Sequence, residues 1–404
     1  IMPNFSGVWS LSSQLQAIGD QTWPMSPGAT TSVSAEAGDA QATISFSNPS
    51  FAGIPTPITG YLATSNPSGI TATGSSSPLT VTGLTNGTAY TFSVQATNAV
   101  GYGVAGTSGS VSPAGTRGLF AGGYTSSFNN TNVIQYITVP SAGNSIDFGD
   151  LTTTLAFYNQ SCASSTRGIF AGGFSGGSSW SNVIGYVTIA STGNATDFGD
   201  LLSTVSSQGG GCSNGTRGLF IGKNNGGAAS NSIQYITIAS TGNALDFGDL
   251  TATTNYGAAA ANSTRAIFFR GDGTATTNYS TISTTGDAIN FGNMTVTRSE
   301  GTAGCSSSTR AIFTGAGGGV NVIDYCTIAT TGSFADFGDL ITGLQACGAV
   351  SSSTRGVFGG GYSGGVLSDM TYVTMASTGN STDFGDLVTA VYGVAGCSNG
   401  HGGL

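Results

Sequence analysis

The chain has 404 residues, among them 66 Gly, one His, nine Lys plus Arg and 18 Asp plus Glu, for a net charge of −9. That length allows two or three domains with a large buried core, and so few basic residues exclude the phosphate neutralisation on which nucleic-acid binding rests. No run approaches the 18 apolar residues of a membrane helix, and residues 1–25 lack the basic start and apolar run of a signal peptide. Low charge with abundant Gly, Ser, Thr and Asn is also the composition of disorder, but β-branched and aromatic residues recur here at regular spacing. The chain therefore reads as all-β with short polar turns.

Residues 1–26 carry Phe5, Trp9, Leu11, Leu15, Ile18 and Trp23. That is too little to form a core, so an apolar arm of this kind is stable only when docked on another protein, with Phe5, Trp9, Leu15 and Trp23 as the candidate anchors. Residues 27–114 have a different rhythm. Strict alternation from Tyr90 to Asn98 puts Tyr90, Phe92, Val94 and Ala96 on one face of a strand, the core face of a sandwich. Further strand patterns run through Ala42-Thr43-Ile44-Ser45-Phe46, Ile58-Thr59-Gly60-Tyr61 and Leu79-Thr80-Val81-Thr82-Gly83-Leu84. Together these resemble a fibronectin type III module of the bacterial kind. Tyr90 follows Leu84 at the family's spacing, and Ile44 or Phe46 fills the space of the family's missing early Trp.

From residue 115 one unit repeats six times. Thr-Arg-(Gly/Ala) recurs at Arg117, Arg167, Arg217, Arg265, Arg310 and Arg355, six of the eight arginines. After each comes an apolar pair ending in Phe, usually with a Gly cluster behind it, which predicts a short buried strand and a tight turn. A variable Gly/Ser/Asn loop leads to a second alternating strand and a Ser-Thr-Gly-Asn type of turn. The next strand carries Asp-Phe-Gly-Asp-Leu, starting at Asp147, Asp197, Asp246, Asp336 and Asp383, with Asn290-Phe291-Gly292-Asn293-Met294 in the fourth copy. A small-residue strand such as Gly301-Thr302-Ala303-Gly304-Cys305 precedes the next Arg.

Four short strands per 45 to 50 residues are the pattern of a propeller blade. The residues resemble kelch repeats: Gly172-Gly173 and Gly359-Gly360-Gly361 match the family's diglycine, Tyr186 and Tyr372 fall near its Tyr, and Phe198 and Phe384 stand where it has Trp. The resemblance implies a six-bladed β-propeller over 115–404, with blades at 116–152 plus 391–400, 153–202, 203–251, 252–295, 296–341 and 342–388. The first copy lacks an innermost strand, and residues 391–400 have no blade of their own, so the C-terminal strand is expected to close blade one and remove the exposed edges.

Chemistry is sparse in this pattern. The only His is His401, four residues from the end, which leaves no His-dependent triad outside the tail, and the copper oxidases built on kelch-like propellers need more His ligands than that. Asp-Phe-Gly recurs without a nucleotide loop or partner Lys, so it is no kinase motif, and it differs from the Asp-containing box of sialidases. No enzymatic activity is expected. The repeated Asp residues have two readings: oxygen ligands for structural Ca²⁺, or partners for the repeated Arg in charge-assisted pairs between strands or blades. The second is favoured, because ten of the 18 acidic residues sit in this motif. Cys162, Cys212, Cys305 and Cys397 occupy one position on the innermost strand and are too far apart to bond, which leaves Cys326 and Cys347 as the only pair worth testing.

Function is then expected in the loops and the arm. The loops behind the diglycine, at 125–132, 174–182, 223–231 and 362–368, hold Phe174, Trp180 and Tyr362 among small polar residues. These three aromatic rings are the candidate surface-binding residues, suited to stacking on sugars. The segments Phe5-Ser6-Gly7-Val8-Trp9, Gln14-Leu15-Gln16-Ala17-Ile18 and Ala190-Ser191-Thr192-Gly193-Asn194-Ala195-Thr196-Asp197-Phe198-Gly199-Asp200-Leu201 look like those of virion appendage proteins of tailed bacteriophages, marine ones in particular. The resemblance implies a structural fibre or decoration protein of the virion, present in multiple copies, docked to other virion proteins through residues 1–26 and contacting a host-surface glycan or protein. A secreted or cell-surface adhesin or lectin is the alternative, and a polysaccharide hydrolase a third reading.

Overall fold

The computed structural model describes residues 10–404 apart from positions 21–22, 39, 55–56, 86–87, 112, 114, 128, 154–159, 177–178, 205–208, 223–229 and 255. The protein is all-β, with one short helix among the described residues, and it divides into two compact units, Ile1–Gly115 and Thr116–Leu404.

In the first unit, strands Thr31–Gly38, Gln41–Ser47 and Leu79–Thr82 form one sheet, and Gly60–Asn66, Thr71–Gly74, Thr91–Asn98, Gly101–Tyr102 and Gly106–Thr107 form the other. The core between them takes the inward half of each alternation: Ile44, Phe46, Tyr61, Val81, Leu84, Tyr90, Phe92 and Val94 are all buried. The Phe46 and Tyr61 rings lie 4.7 Å apart and fill the middle of the sandwich, and the Thr85 N–H donates to the Tyr90 hydroxyl at 3.1 Å. Ahead of the sandwich stands the helix Leu11–Gly19. The segment after it is stitched to the sandwich rather than free of it: Met25 pairs with Ile54, and the Asn98 amide donates to the Met25 carbonyl at 3.0 Å.

Among its described residues the second unit forms six four-stranded antiparallel sheets. In the second sheet the strands run Gln160–Ala163, Arg167–Gly176, Ser179–Thr188 and Thr196–Asp200, from inner to outer. The first sheet draws its inner strand from the other end of the unit, because Ala395–Ser398 pairs antiparallel with Arg117–Ala121. Inner strands of consecutive sheets are neighbours, and Ala395–Ser398 lies beside both Gly348–Ser351 and Gln160–Ala163. Serine hydroxyls tie these inner strands together. Ser213, Ser306, Ser351 and Ser398 donate to the carbonyls of Ala163, Ala261, Ser306 and Ser351 at 2.6 to 2.8 Å.

Sheet-to-sheet packing explains the outer-strand motif. Phe148 is buried and meets Tyr136 of its own sheet edge to face at 5.9 Å; Phe198, Phe247, Phe291, Phe337 and Phe384 do the same with their tyrosines. The Gly after each Phe lets the turn of the next sheet approach. A Cβ on Gly199 would stand 2.5 Å from the Gly242 carbonyl oxygen, and one on Gly385 would meet Gly143, so the sixth sheet makes with the first the contact that the others make in sequence. That turn donates in return: Gly193 N–H bonds Phe148 O at 2.8 Å and Ala195 N–H bonds Asp150 O at 2.7 Å.

Candidate functional site

The repeated arginines do not pair with the repeated aspartates. Each guanidinium lies over the tyrosine of its own sheet, 4.5 to 4.9 Å from the ring centroid. Its Nη1 donates to backbone carbonyls of the next sheet: Arg117 to Ile189 and Ala190, Arg167 to Ile238, Arg217 to Ile282 and Ser283, Arg265 to Ile328 and Ala329, Arg310 to Met375. Arg355 closes the series on Val139 and Pro140 of the first sheet. The arginine does bridge sheets, but its acceptors are the carbonyls at the end of a strand, which water would otherwise have to satisfy. Asp147, Asp197, Asp246, Asp336 and Asp383 are exposed, and their strands take part through backbone atoms. Among the described residues no three His, Cys, Asp or Glu side chains gather as a metal set, so the Ca²⁺ alternative finds no ligand cluster either.

Two arginines stand outside the repeat, and both are paired. Arg270 meets Asp272 at 3.1 Å. Arg298 and Asp324 are fully buried, with Nη2 to Oδ2 at 2.7 Å; Arg298 also donates to Gly315 O and Val322 O at 2.9 Å, and Asp324 accepts from the Thr295 N–H and hydroxyl. Burial lowers the Arg298 pKa, against the pull of the Asp324 carboxylate. The same third-strand position holds Gln135, Gln234 and Asn278, whose side-chain oxygens also accept from the preceding sheet's exit loop or the corresponding segment. Asp324 is therefore a charged version of a repeated anchor, and Arg298 neutralises it.

All six cysteines are free and buried, Cys326 and Cys347 included. Burial pushes Cys305, Cys326, Cys347 and Cys397 up to about 12 and raises Cys162 and Cys212 as well. The thiols are held protonated and act as small apolar side chains between sheets.

His401 sits at the arginine end of the inner strands. Its Nε2–H donates to the Ala163 carbonyl at 2.9 Å, its Nδ1 accepts from the Gly403 N–H at 3.0 Å, and the Ser213 hydroxyl lies 3.2 Å from Nε2. Burial lowers its pKa. The Gly402 N–H donates to Ser306 O at 2.9 Å, and a Cβ on Gly402 or Gly403 would overlap the Ser307 or Ser213 carbonyl. The tail is thus laid across the inner strands as a cap, and among the described residues the imidazole's partners are Ala163 O, Ser213 and the Gly403 N–H. The cavity beneath it, lined by Ser161, Cys162, Ser213, Ser306, Ser398 and His401, measures ≈ 50 Å³. That holds a water molecule or two but not an organic ligand.

At the opposite end, where the second strands finish in their diglycines, the aromatic side chains converge. Phe174 and Trp180 lie 4.9 Å apart, Phe174 and Tyr124 6.5 Å, Tyr124 and Tyr392 5.5 Å in a stacked pair, and Tyr392 and Tyr362 5.7 Å. Phe174, Trp180 and Tyr362, singled out one loop at a time, are thus parts of one row across the second, first and sixth sheets, and all five rings are half-buried. Sequence reasoning missed Tyr124 and Tyr392. Tyr124 follows Gly122-Gly123 as Phe174 follows Gly172-Gly173, a signal that was present; Tyr392 joins only because the C-terminal strand enters the first sheet. Burial raises Tyr124, and it raises Tyr392 with added repulsion from Tyr124 and Tyr362. Past Tyr362 the row turns polar. Tyr362 pairs through its backbone with Gln345, whose Nε2 donates to Glu300 Oε1 at 2.9 Å, and Glu300 in turn reaches Tyr256.

Of the arm residues, Phe5 and Trp9 lie outside the described residues. Leu15 is 61% exposed and, with Leu11 at 73%, lies on one face of the helix at i and i+4. Trp23 is half-buried, and its backbone N–H donates to the Ala17 carbonyl at 3.0 Å.

In comparison with known proteins, residues 26–112 match the fibronectin type III domain. No curated protein matches the chain.

Proposed function

We propose that the chain is a non-enzymatic structural protein of a phage virion, a fibre or decoration protein, whose Thr116–Leu404 unit is a closed six-bladed propeller of kelch-like blades displayed for contact with the host surface. The six four-stranded sheets, the first completed by Ala395–Ser398, support the propeller reading, as does the Arg355 contact that carries the sixth sheet back to the first. The observation that carries the functional reading is a division of labour. The sixfold Arg, Tyr, Phe and Gly are engaged in holding sheet to sheet, whereas the half-buried aromatic row occurs at only some of the sheets and takes no part in that repeated contact. The polypeptide enters the unit at the arginine end, through Thr116 and Arg117, and the aromatic row lies at the other end. The helix Leu11–Gly19, with Leu11 and Leu15 uncovered, suits docking on another virion protein. Buried protonated thiols and a His401 committed to backbone groups fit a chain that binds rather than reacts.

The test is incorporation into particles. Deleting residues 1–26 removes the chain from purified virions if the arm is the dock, while continued incorporation at the wild-type copy number overturns that role. Time-dependent shortening of a host polysaccharide by the purified chain would overturn the non-enzymatic reading. A chain found on cell surfaces and absent from particles would place it with the adhesins.

A further inference from the structure

We infer that the aromatic row and the polar residues that continue it form one binding arc for a linear, neutral oligosaccharide. This deepens the host-contact reading above and rests on it for biological meaning, although the binding itself can be measured without it.

The arc runs Trp180, Phe174, Tyr124, Tyr392, Tyr362, Gln345, Glu300 across consecutive sheets. Its rings follow one another at 4.9 to 6.5 Å, close to the advance of one pyranose residue along a glycan. Apolar C–H faces of sugars stack on aromatic rings, and an unbroken line of rings is what a chain of sugars, rather than a single one, would use. A row of this kind could also dock a protein loop, but its continuation favours a sugar. The Gln345 amide and the Glu300 carboxylate, joined at 2.9 Å, offer donors and acceptors in the paired arrangement that vicinal hydroxyls match. Aromatic platforms with a few fixed polar groups are the usual make-up of small-ligand sites.

Charge decides the class of glycan. Among the described residues the arginines at this end are Arg270 and Arg298, and each is neutralised by its own aspartate. Glu300 is acidic and the whole chain carries −9. Among the described residues an anionic polysaccharide would meet no unpaired cation on the arc and a carboxylate within it, whereas a neutral glycan meets neither penalty.

The experiment titrates the full-length chain with neutral linear hexasaccharides (α- and β-linked glucans, β-mannan and β-galactan), with a polygalacturonate hexamer as the anionic comparator. Trp180 fluorescence, in a Trp9→Phe, Trp23→Phe background, and calorimetry are the readouts. The expected result is binding of at least one neutral hexamer, more than tenfold tighter than its monosaccharide, with a change in Trp180 emission. Tyr392→Ala weakens it at least tenfold. Because Tyr392 also packs beside the first sheet, Tyr362→Ala and Gln345→Leu are measured alongside, each checked for an unchanged melting temperature, and each should weaken binding at least threefold. The inference is overturned if no neutral hexamer binds, if only the anionic hexamer binds, or if folded Tyr362→Ala and Gln345→Leu both bind as wild type does. A chain that binds no saccharide yet blocks adsorption of particles to cells removes the glycan arc and leaves the contact function standing. Binding by a chain absent from particles supports the arc and removes the virion role.

Discussion

Replacing Gly199 by Ala tests the sheet-to-sheet junction at its tightest point. The new Cβ would stand 2.5 Å from the Gly242 carbonyl oxygen, a backbone atom that cannot swing aside as a side chain could, and Gly199 has φ of +146°. A non-Gly residue there carries strain of about 1–3 kcal/mol. Relieving the overlap moves the turn away from the outer strand, which lengthens the Gly242 N–H to Phe198 O and Ala244 N–H to Asp200 O bonds, both 2.8 Å. Each such bond contributes about 1 kcal/mol. The sum is a loss of about 3–5 kcal/mol. An unfolding entropy of about 2 cal/mol/K per residue over roughly 290 residues gives about 0.6 kcal/mol per kelvin, so the melting temperature falls by roughly 5–8 °C. Calorimetry of the full-length chain reads this directly. Gly185→Ala in the same sheet is the control: its Cβ would make only ordinary contacts at 3.7 Å, and its melting temperature should stay within about 1 °C of wild type. A Gly199→Ala protein as stable as that control would refute the claim that these glycines set the spacing between sheets.

Three other outcomes follow from the same contacts. Asp324→Asn or Arg298→Met leaves one buried charge without its partner and should cost about 3–5 kcal/mol by denaturant unfolding, while the double change Arg298→Met, Asp324→Leu costs less than the two single losses together; additive losses would contradict the coupling. His401 has a lowered pKa in the folded chain, so the unfolded chain binds the extra proton. Its contribution is complete above the ordinary His value near 6.5 and is lost as pH falls below it, with a slope of at most about 1.4 kcal/mol per pH unit. Between pH 7 and 5 wild type should therefore lose stability faster than His401→Gln; parallel curves would show that the tail is not anchored through the neutral imidazole. Finally, the buried thiols should resist a disulfide reagent in native buffer and yield six equivalents on unfolding; rapid native labelling would contradict their placement.

Much of the architecture was written in residue spacing, because packing repeats wherever a side chain must fill the same space. Alternation from Tyr90 to Ala96 marked the sandwich face that is buried, and the fibronectin type III match covers that region. The repeated Phe and Gly likewise fell on strands and close approaches. The partners of the repeated Arg were not legible. Counting charges pointed to the aspartates, but the acceptors are backbone carbonyls, which every residue carries and no residue letter reveals. The Arg298–Asp324 pair hid for the opposite reason: it is a departure from the repeat, and only the equivalence of Asp324 with Gln135, Gln234 and Asn278 exposes it. The aromatic row was half legible, since Phe174, Trp180 and Tyr362 could be named from their loops, while their union depends on Tyr392 entering beside Tyr124 from the far end of the chain.

The most direct test of the proposed virion role is a reconstruction of intact phage particles that resolves this chain and its neighbours. Under that role residues 1–26 lie against another virion protein, with Leu11 and Leu15 covered, and Tyr124, Phe174, Trp180, Tyr362 and Tyr392 face solvent. Those five rings buried against the particle, with the helix Leu11–Gly19 left uncovered, would contradict it.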